Sequence, residues 1–374
     1  MSDIRLGEEE GLIQQNAVEL SQEIAKRASE IDRNRLFPRE NLELLAKHGY
    51  LGLVLPKPYG LGASTLSFVL TTEALAKACA STAWVYVVHT ATSYGLYASA
   101  NEAQREGYLA KLADGTNLAA FAATEPSTGA SFTAVEMSAE LHENEYIING
   151  TKSFITAAGE ADVYLVLLRT SKEPASKNLA VLIVEKGAPG FSPGGHFEGM
   201  GMRGVSWGEL IFRDCRIHKD NIITDAFRVI NAEGFVGMLG ASAISLGLAQ
   251  AAFDIALNHA KQRVAAGQPL TAREGIQFML AEMATDVRAM RQMVYFGAER
   301  RDRSPDPYRE LLEVKVFTSE TAIGVVEKAM RITGAHGYSR ELSLERHYRD
   351  IRAPMLHFQT LETGKRALGR ILTT

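Results

Sequence analysis

Phe121-Ala122-Ala123-Thr124-Glu125-Pro126-Ser127-Thr128-Gly129-Ala130-Ser131, followed further on by Asn149-Gly150-Thr151-Lys152-Ser153-Phe154-Ile155-Thr156, is the passage on which the reading of this chain turns. The first part reads as a strand running into a turn rich in Ser, Thr and Gly. Such a turn gathers hydroxyls and free backbone N–H groups in one concave place, which suits phosphates or the polar edge of a ring. The second part follows an expected hairpin. Asn149-Gly150 is a strong two-residue turn signal between residues 145–148 and a strand starting at Thr151. On this reading two neighbouring strands each end in a threonine near an aromatic ring, Phe121 with Thr124 and Phe154 with Thr156. An ordinary antiparallel sheet accounts for either part alone.

Outward from this passage the chain changes character twice. Residues 8–112 read as helical. Leu42, Leu45 and Ala46 recur at helical spacing and the helix stops at Gly49. A breaker-rich loop over residues 53–60 precedes helices at 66–79 and 81–97, the second apolar enough to be central and carrying His89. Residues 118–216 instead carry short strands at 145–148, 162–169, 179–185 and 209–212, with a solvated loop at 171–177 and a glycine-bearing one at 187–201. From Gly234 the pattern is helical again: Leu239, Ala243, Leu246, Ala249 and Phe253 make one apolar stripe. The interleaved Gly237, Gly240, Gly247, Ala251 and Ala252 allow close helix contact, and further helices are expected at 272–301, 307–334 and 360–372. The expected fold class is α+β. It has an N-terminal helical domain (residues 1–117), a central small β-barrel or sandwich (118–228) and a C-terminal four-helix bundle (229–374).

Composition narrows the function classes. A net charge of −4 argues against a nucleic-acid partner, which demands a basic face. The two cysteines, Cys79 and Cys215, offer neither a disulfide framework nor a metal spacing, and they suit a reducing compartment. The Met1-Ser2-Asp3-Ile4-Arg5 start resembles no signal or transit peptide, and no apolar run reaches membrane length. A cytoplasmic protein without membrane insertion or bound metal is expected.

The order of helical, β and helical domains, with the passage quoted above, resembles the acyl-CoA dehydrogenase family nearly end to end. Met200-Gly201-Met202-Arg203-Gly204, Gly247-Leu248-Ala249-Gln250, and Arg263 with Gly267 and Pro269 extend the resemblance. Leu280-Ala281-Glu282-Met283, Gly334-Ala335-His336-Gly337-Tyr338 and Arg349-Asp350 complete it. The resemblance implies FAD between the β domain and the C-terminal bundle. Phe121, Ala123 and Thr124 would line the pyrimidine side of the flavin. Phe154 would cover one ring face, and the Thr156 hydroxyl would lie near the reactive ring nitrogen. Gly129 and Ala130 would offer backbone N–H groups to phosphate, although the family's usual Gly-Ser-Asp is Gly129-Ala130-Ser131 here and loses a hydroxyl.

The resemblance also implies that Arg263 holds the diphosphate of a neighbouring subunit's FAD, a bidentate task that suits arginine. Gly334 belongs to the same half-site, with Thr360 and Glu362 at nucleotide-contacting positions. The pattern departs at Ala266, usually aromatic, and at Glu274 and Arg331, both usually Gln. Glu274 and Arg331 either offset each other as an ion pair, leaving Arg331 free to approach phosphate, or mark a decayed half-site.

The larger departure is at the catalytic base. The family's Tyr-Glu-Gly-Thr is His357-Phe358-Gln359-Thr360 here, so Phe358 stands where the proton-abstracting Glu is expected. The alternative place for that Glu, before an Arg, falls on Gly237 and Met238. His89 is the candidate replacement base, since its ordinary pKa suits one, against the reading that a lone His in an apolar helix is packing. His357 adjoins the lost position but is expected to point elsewhere, and Glu362 is read one helical turn after Phe358; neither is a secure substitute. The resemblance thus implies an FAD-dependent oxidoreductase acting on the CH–CH group of an acyl thioester on CoA or a carrier protein, with an unusual base or an atypical reaction. An electron-transfer flavoprotein would be the acceptor and a homodimer or homotetramer the assembly. The alternative is a non-catalytic or half-site subunit paired with a complete homologue in a heteromer.

Overall fold

The computed structural model describes residues 6–129, 131–171 and 178–374; the chain start, Ala130 and most of the expected 171–177 loop lie outside the described residues. Five helices open the chain: α1 (Glu8–Asn34), α2 (Arg39–Lys47), α3 (Thr65–Ala78), α4 (Ala80–Ser99) and α5 (Glu102–Ala113). Helix α1 is amphipathic, burying Ala17, Leu20, Ile24, Ala28 and Ile31 at steps of three and four residues. Helix α4 is buried on every side along residues 80–93, which fits its apolar composition and central place. Local signals set the ends. Ser64 accepts the Ser67 N–H before α3, and Asn101 and Gln104 form a reciprocal capping box on α5.

The middle domain holds two four-stranded sheets. One contains β1 (Ala119–Ala122), β4 (Val163–Arg169), β5 (Leu179–Glu185) and β8 (Ile222–Ile223) in the order β1-β4-β5-β8, with β1 parallel to β4. The other contains β2 (Ala139–His142), β3 (Glu145–Ile155), β6 (Phe191–His196) and β7 (Gly208–His218) in the order β2-β3-β7-β6. The two strands expected to be sheet neighbours therefore belong to different sheets. Asn149-Gly150 is also not a hairpin. Strand β3 runs straight through it, because the segments on either side both pair with β7. The dipeptide makes a bulge there, with Gly150 at φ 141° and the Asn149 amide bonded to the Asp214 N–H at 2.7 Å and its carboxylate at 3.1 Å. The chain reverses earlier, at Glu143-Asn144, where Glu143 takes a left-handed φ of 55°.

The C-terminal domain is α6 (Ala226–Gln262), α7 (Glu274–Arg303), α8 (Tyr308–Thr333) and α11 (Leu361–Thr373), with short helices α9 (Ala335–Tyr338) and α10 (Leu344–Asp350). A two-stranded ribbon, β9 (Val264–Ala265) and β10 (Gln268–Pro269), joins α6 to α7. Helix α6 begins three residues before the boundary expected at 229, capped by Asp225 accepting the Arg228 N–H. At 37 residues it is also long and apolar enough by composition to cross a membrane, contrary to the sequence reading. It is instead the central helix of the protein, with 89% of its most apolar stretch buried. A side chain at Gly240 would strike Val87 of α4, and one at Gly247 would strike the backbone of α3 at Glu73. These glycines let three helices approach closely enough for the flanking Leu and Ile side chains to be fully buried, each worth about 1.5–3 kcal/mol.

One buried cluster runs from Ala17 through Tyr164 and Leu246 to Ala353, so the three domains share a core. The Arg349-Asp350 pair fastens them together. The Arg349 guanidinium forks onto Asp32 of α1 at 2.7 and 2.8 Å and also reaches Glu345, while Asp350 accepts the Met202 N–H.

Candidate functional site

Strand β1 delivers Phe121 and the turn 124–129, and β3 delivers Phe154 and Thr156. A buried ion pair holds the two ends together. Lys152 Nζ lies 2.7 Å from Glu125 Oε1 and donates to the Ala123 carbonyl at 3.1 Å. Glu125 also accepts the Glu136 and Met137 N–H groups at 2.8 and 3.0 Å, and the Ser153 N–H donates to the Thr124 carbonyl at 2.9 Å. Burial outweighs the Glu125 charge and pushes the Lys152 ammonium down to about 8. Losing one partner of such a pair costs about 3–5 kcal/mol, because the other is left buried and unpaired. The sequence reading assigned no role to either residue. The available signal was a charged side chain inside each of the two apolar strand ends.

Beyond the pair, Phe154 takes a left-handed φ of 55°, and its ring, 57% exposed, stacks on Phe197 at 4.1 Å. Thr156 is buried, and its hydroxyl accepts the Trp84 indole N–H of α4 at 3.2 Å. Trp84 meets His357 edge-on at 4.8 Å and Phe358 at 5.8 Å, while Trp207, just before β7, stacks on His357 at 5.6 Å. The three domains thus converge on one aromatic cluster ending at the Thr156 hydroxyl.

Phe358 and Gln359 are both left-handed, at φ 49° and 77°, a conformation that costs a non-glycine residue about 1–3 kcal/mol. The Gln359 amide is held by the Tyr308 hydroxyl at 3.1 Å. The Phe358 ring lies where a side chain at Gly237 would have to go. The two places considered for a carboxylate base are therefore one place in space, and an aromatic ring fills it.

His89 requires a correction. It is fully buried, accepts the Ala119 N–H on Nδ1 at 3.1 Å and donates from Nε2 to the Leu112 carbonyl at 3.0 Å. Burial drops its pKa to about 4. With both nitrogens committed to backbone it ties α4 and α5 to the start of β1, and it has no lone pair left to accept a proton. A carboxyl that the sequence reading passed over is Glu233 on α6, one turn before Gly237. It is 4% exposed, packs beside Gly95, has no hydrogen-bond or ion-pair partner among the described residues, and is pushed up to about 8 by burial.

At the far end of the bundle the structure gathers several expected nucleotide residues. Arg263 caps α6 and is exposed, followed by a tight turn with Ala266 and Gly267 at φ 51° and 77°. His259, one turn before Arg263, lies 5.3 Å from His336 beside the Gly334 turn, and burial followed by the His336 and Arg263 charges lowers its pKa. Glu274 and Arg331 are both exposed and make no ion pair with each other among the described residues of this chain. Thr360 caps α11 by accepting the Thr363 N–H at 3.2 Å, and Glu362 is exposed in that helix's first turn. Phe358 lies outside the helix, so Glu362 does not stand one helical turn beyond it. Gly129 is exposed at φ 56°, in a turn closed by its N–H to the Glu125 carbonyl.

These residues fit a flavin nucleotide. Thr128 Oγ1 beside the turn and Trp207 Nε1 in the aromatic cluster are buried without a hydrogen-bond partner among the described residues, as groups awaiting a polar ligand would be. The exposed Phe154 ring is a flat surface for stacking.

Comparison with known proteins gives matches along the whole chain. The model of the acyl-CoA dehydrogenase N-terminal domain matches residues 7–116, that of the middle domain residues 120–215, and that of the C-terminal domain residues 233–358. An acryloyl-CoA reductase (NADH) of Anaerotignum propionicum is 34% identical over 98% of this chain and 95% of its own. A cyclohex-1-ene-1-carbonyl-CoA dehydrogenase of Geobacter metallireducens is 35% identical over 94% of each chain. Among solved structures, the butyryl-CoA dehydrogenase of Megasphaera elsdenii superimposes with a TM-score of 0.94 at 30% identity over 100% of both chains.

Proposed function

The chain belongs to the acyl-CoA dehydrogenase family of FAD-dependent oxidoreductases acting on CH–CH groups, and from that premise we propose that it works on the Cα–Cβ bond of an acyl thioester carried by CoA or a carrier protein. The observation that carries this reading is the cluster in which Trp84 orients the Thr156 hydroxyl beside His357, Trp207 and Phe358, where all three domains meet. FAD, when bound, supplies the two-electron chemistry. The chain supplies the setting. Thr156, Thr128 and Trp207 offer polar groups, Phe154 offers a stacking face, and the aromatic cluster keeps water away from the reacting carbons. Arg263 and the Gly334 turn, exposed at the bundle end, would take the nucleotide of a neighbouring subunit's FAD in a homodimer or homotetramer. An electron-transfer flavoprotein is the proposed acceptor. The free, buried Cys79 and Cys215 suit the reducing cytoplasm.

Anaerobic absorbance of the purified protein tests this. Oxidised flavin should bleach with one or more members of a panel of acyl-CoAs and acyl carriers, or reduced flavin should reoxidise with the matching enoyl thioesters. Absence of both, with FAD bound, would overturn the reading. The Phe358 ring in the space above Gly237 favours a second reading, a half-site subunit, which would hold FAD only when copurified with a complete homologue.

A further inference from the structure

We propose that His357 accepts the proton leaving the α-carbon of the thioester, in place of a carboxylate at the next residue; this rests on the function proposed above. The His357 Nδ1 lies 3.0 Å from the Ala353 carbonyl, which can only accept, so Nδ1 carries the hydrogen and Nε2 keeps its lone pair. Nε2 has no partner among the described residues. The ring lies between Trp207, stacked on it, and Trp84, T-shaped to it, and Trp84 in turn holds Thr156, so the imidazole stands one side chain from that hydroxyl. Unlike His89 and His347, His357 is not fully buried.

Its surroundings keep it neutral. Burial lowers its pKa, and the Lys315 charge adds to this despite the Ala353 carbonyl. Lys315 of α8, whose own pKa burial lowers to about 7, is the titratable group facing it and is fixed by the Pro354 carbonyl and Ser319; Trp84 of α4 and Trp207 before β7 bring no charge. The neighbouring candidates are worse placed. Phe358 has no lone pair, His89 has none free, and Glu233 lies sealed beside Gly95 and holds its own proton near neutral pH. In the step, the α C–H bond breaks, its electron pair stays on Cα and spreads into the thioester carbonyl, and the proton moves to Nε2. This step needs no oxidant, and in the reverse direction the imidazolium returns the proton.

The test is solvent deuterium exchange into phenylacetyl-CoA, which has α-hydrogens but no hydrogen to lose from the next carbon, followed by mass spectrometry on the FAD-bound protein. His357→Asn can keep the donor to Ala353 but lacks a basic nitrogen. Exchange should fall about 10²–10⁴-fold, with FAD content and thioester binding unchanged. Added imidazole should restore exchange in His357→Ala. The wild-type rate should rise with pH to a plateau, and that rise should be absent from His357→Asn. Undiminished exchange in His357→Asn would overturn the proposal, and its loss in Glu233→Gln instead would move the role to that carboxyl. Flavin bleaching by acyl thioesters that ignores His357 would sink this inference alone. A wild type that neither exchanges nor bleaches with any acyl thioester would sink the function proposed above as well.

Discussion

Glu233 shows how a single residue acquires properties that its letter does not announce. A glutamate on an apolar helix face would be ordinary at the surface, but here desolvation alone raises its pKa from 4.5 to about 8. The sign of its effect on stability follows. Between those two values the folded chain holds a proton that the unfolded chain releases, so this group's contribution is fully present below about 4.5 and is lost as pH rises through about 8. Glu233→Gln lacks this dependence. It should match the wild type in thermal stability near pH 4.5 and become progressively more stable than it up to pH 8, measured by melting curves across that range. Parallel curves at all pH values would show that the carboxyl is solvated. The same scale separates the histidines: backbone groups occupy both nitrogens of His89, whereas only one nitrogen of His357 is occupied among the described residues.

At the scale of elements, α6 is the axis, and its glycines decide what can stand beside it. Gly237 faces Phe358, Gly240 faces Val87 and Gly247 faces α3. Gly237→Ala would push the Phe358 ring from its place, at about 1–3 kcal/mol for overpacking, set against roughly 1 kcal/mol regained from helix propensity. The prediction is a coupling. Gly237→Ala should destabilise the wild type but be neutral or stabilising in a Phe358→Ala background, read from a double-mutant cycle in denaturant. Additive effects would mean that the ring does not rest on α6. The bulge at Asn149-Gly150 teaches a related lesson. The dipeptide tolerates the backbone that a turn requires, yet pairing with β7 on both sides spends that freedom on a kink.

For the whole molecule, the proposed site is divided between two regions of the fold. The residues proposed for the flavin ring cluster where the domains meet, while Arg263, Arg331 and the Gly334 turn are exposed at the bundle end. In the assembly proposed above, where Arg263 serves a neighbour's nucleotide, retention of FAD depends on assembly. Arg263→Ala should weaken FAD binding by about 1.5–3 kcal/mol, the worth of a charge-assisted contact, or roughly 10–100-fold. Flavin content after gel filtration and sedimentation of the same sample would check this. A monomer that holds FAD as tightly as the wild type would remove Arg263 from the site.

Much of the fold was legible because its signals are local. Helical spacing in residues 8–112 and again beyond Gly234, and the short strands between them, depend on residues close in sequence. The passages around Thr124 and Thr156 marked the candidate site for the same reason. What sequence could not decide depends on partners far along the chain. The Lys152–Glu125 pair needs the two sheets brought together, and the burial of Glu233 needs α4 laid against α6. The commitment of His89 to Ala119 and Leu112 is likewise a matter of what packs around it. Charge state and free lone pairs are set by desolvation and by hydrogen bonds across the fold, and those exist only once the chain has closed on itself.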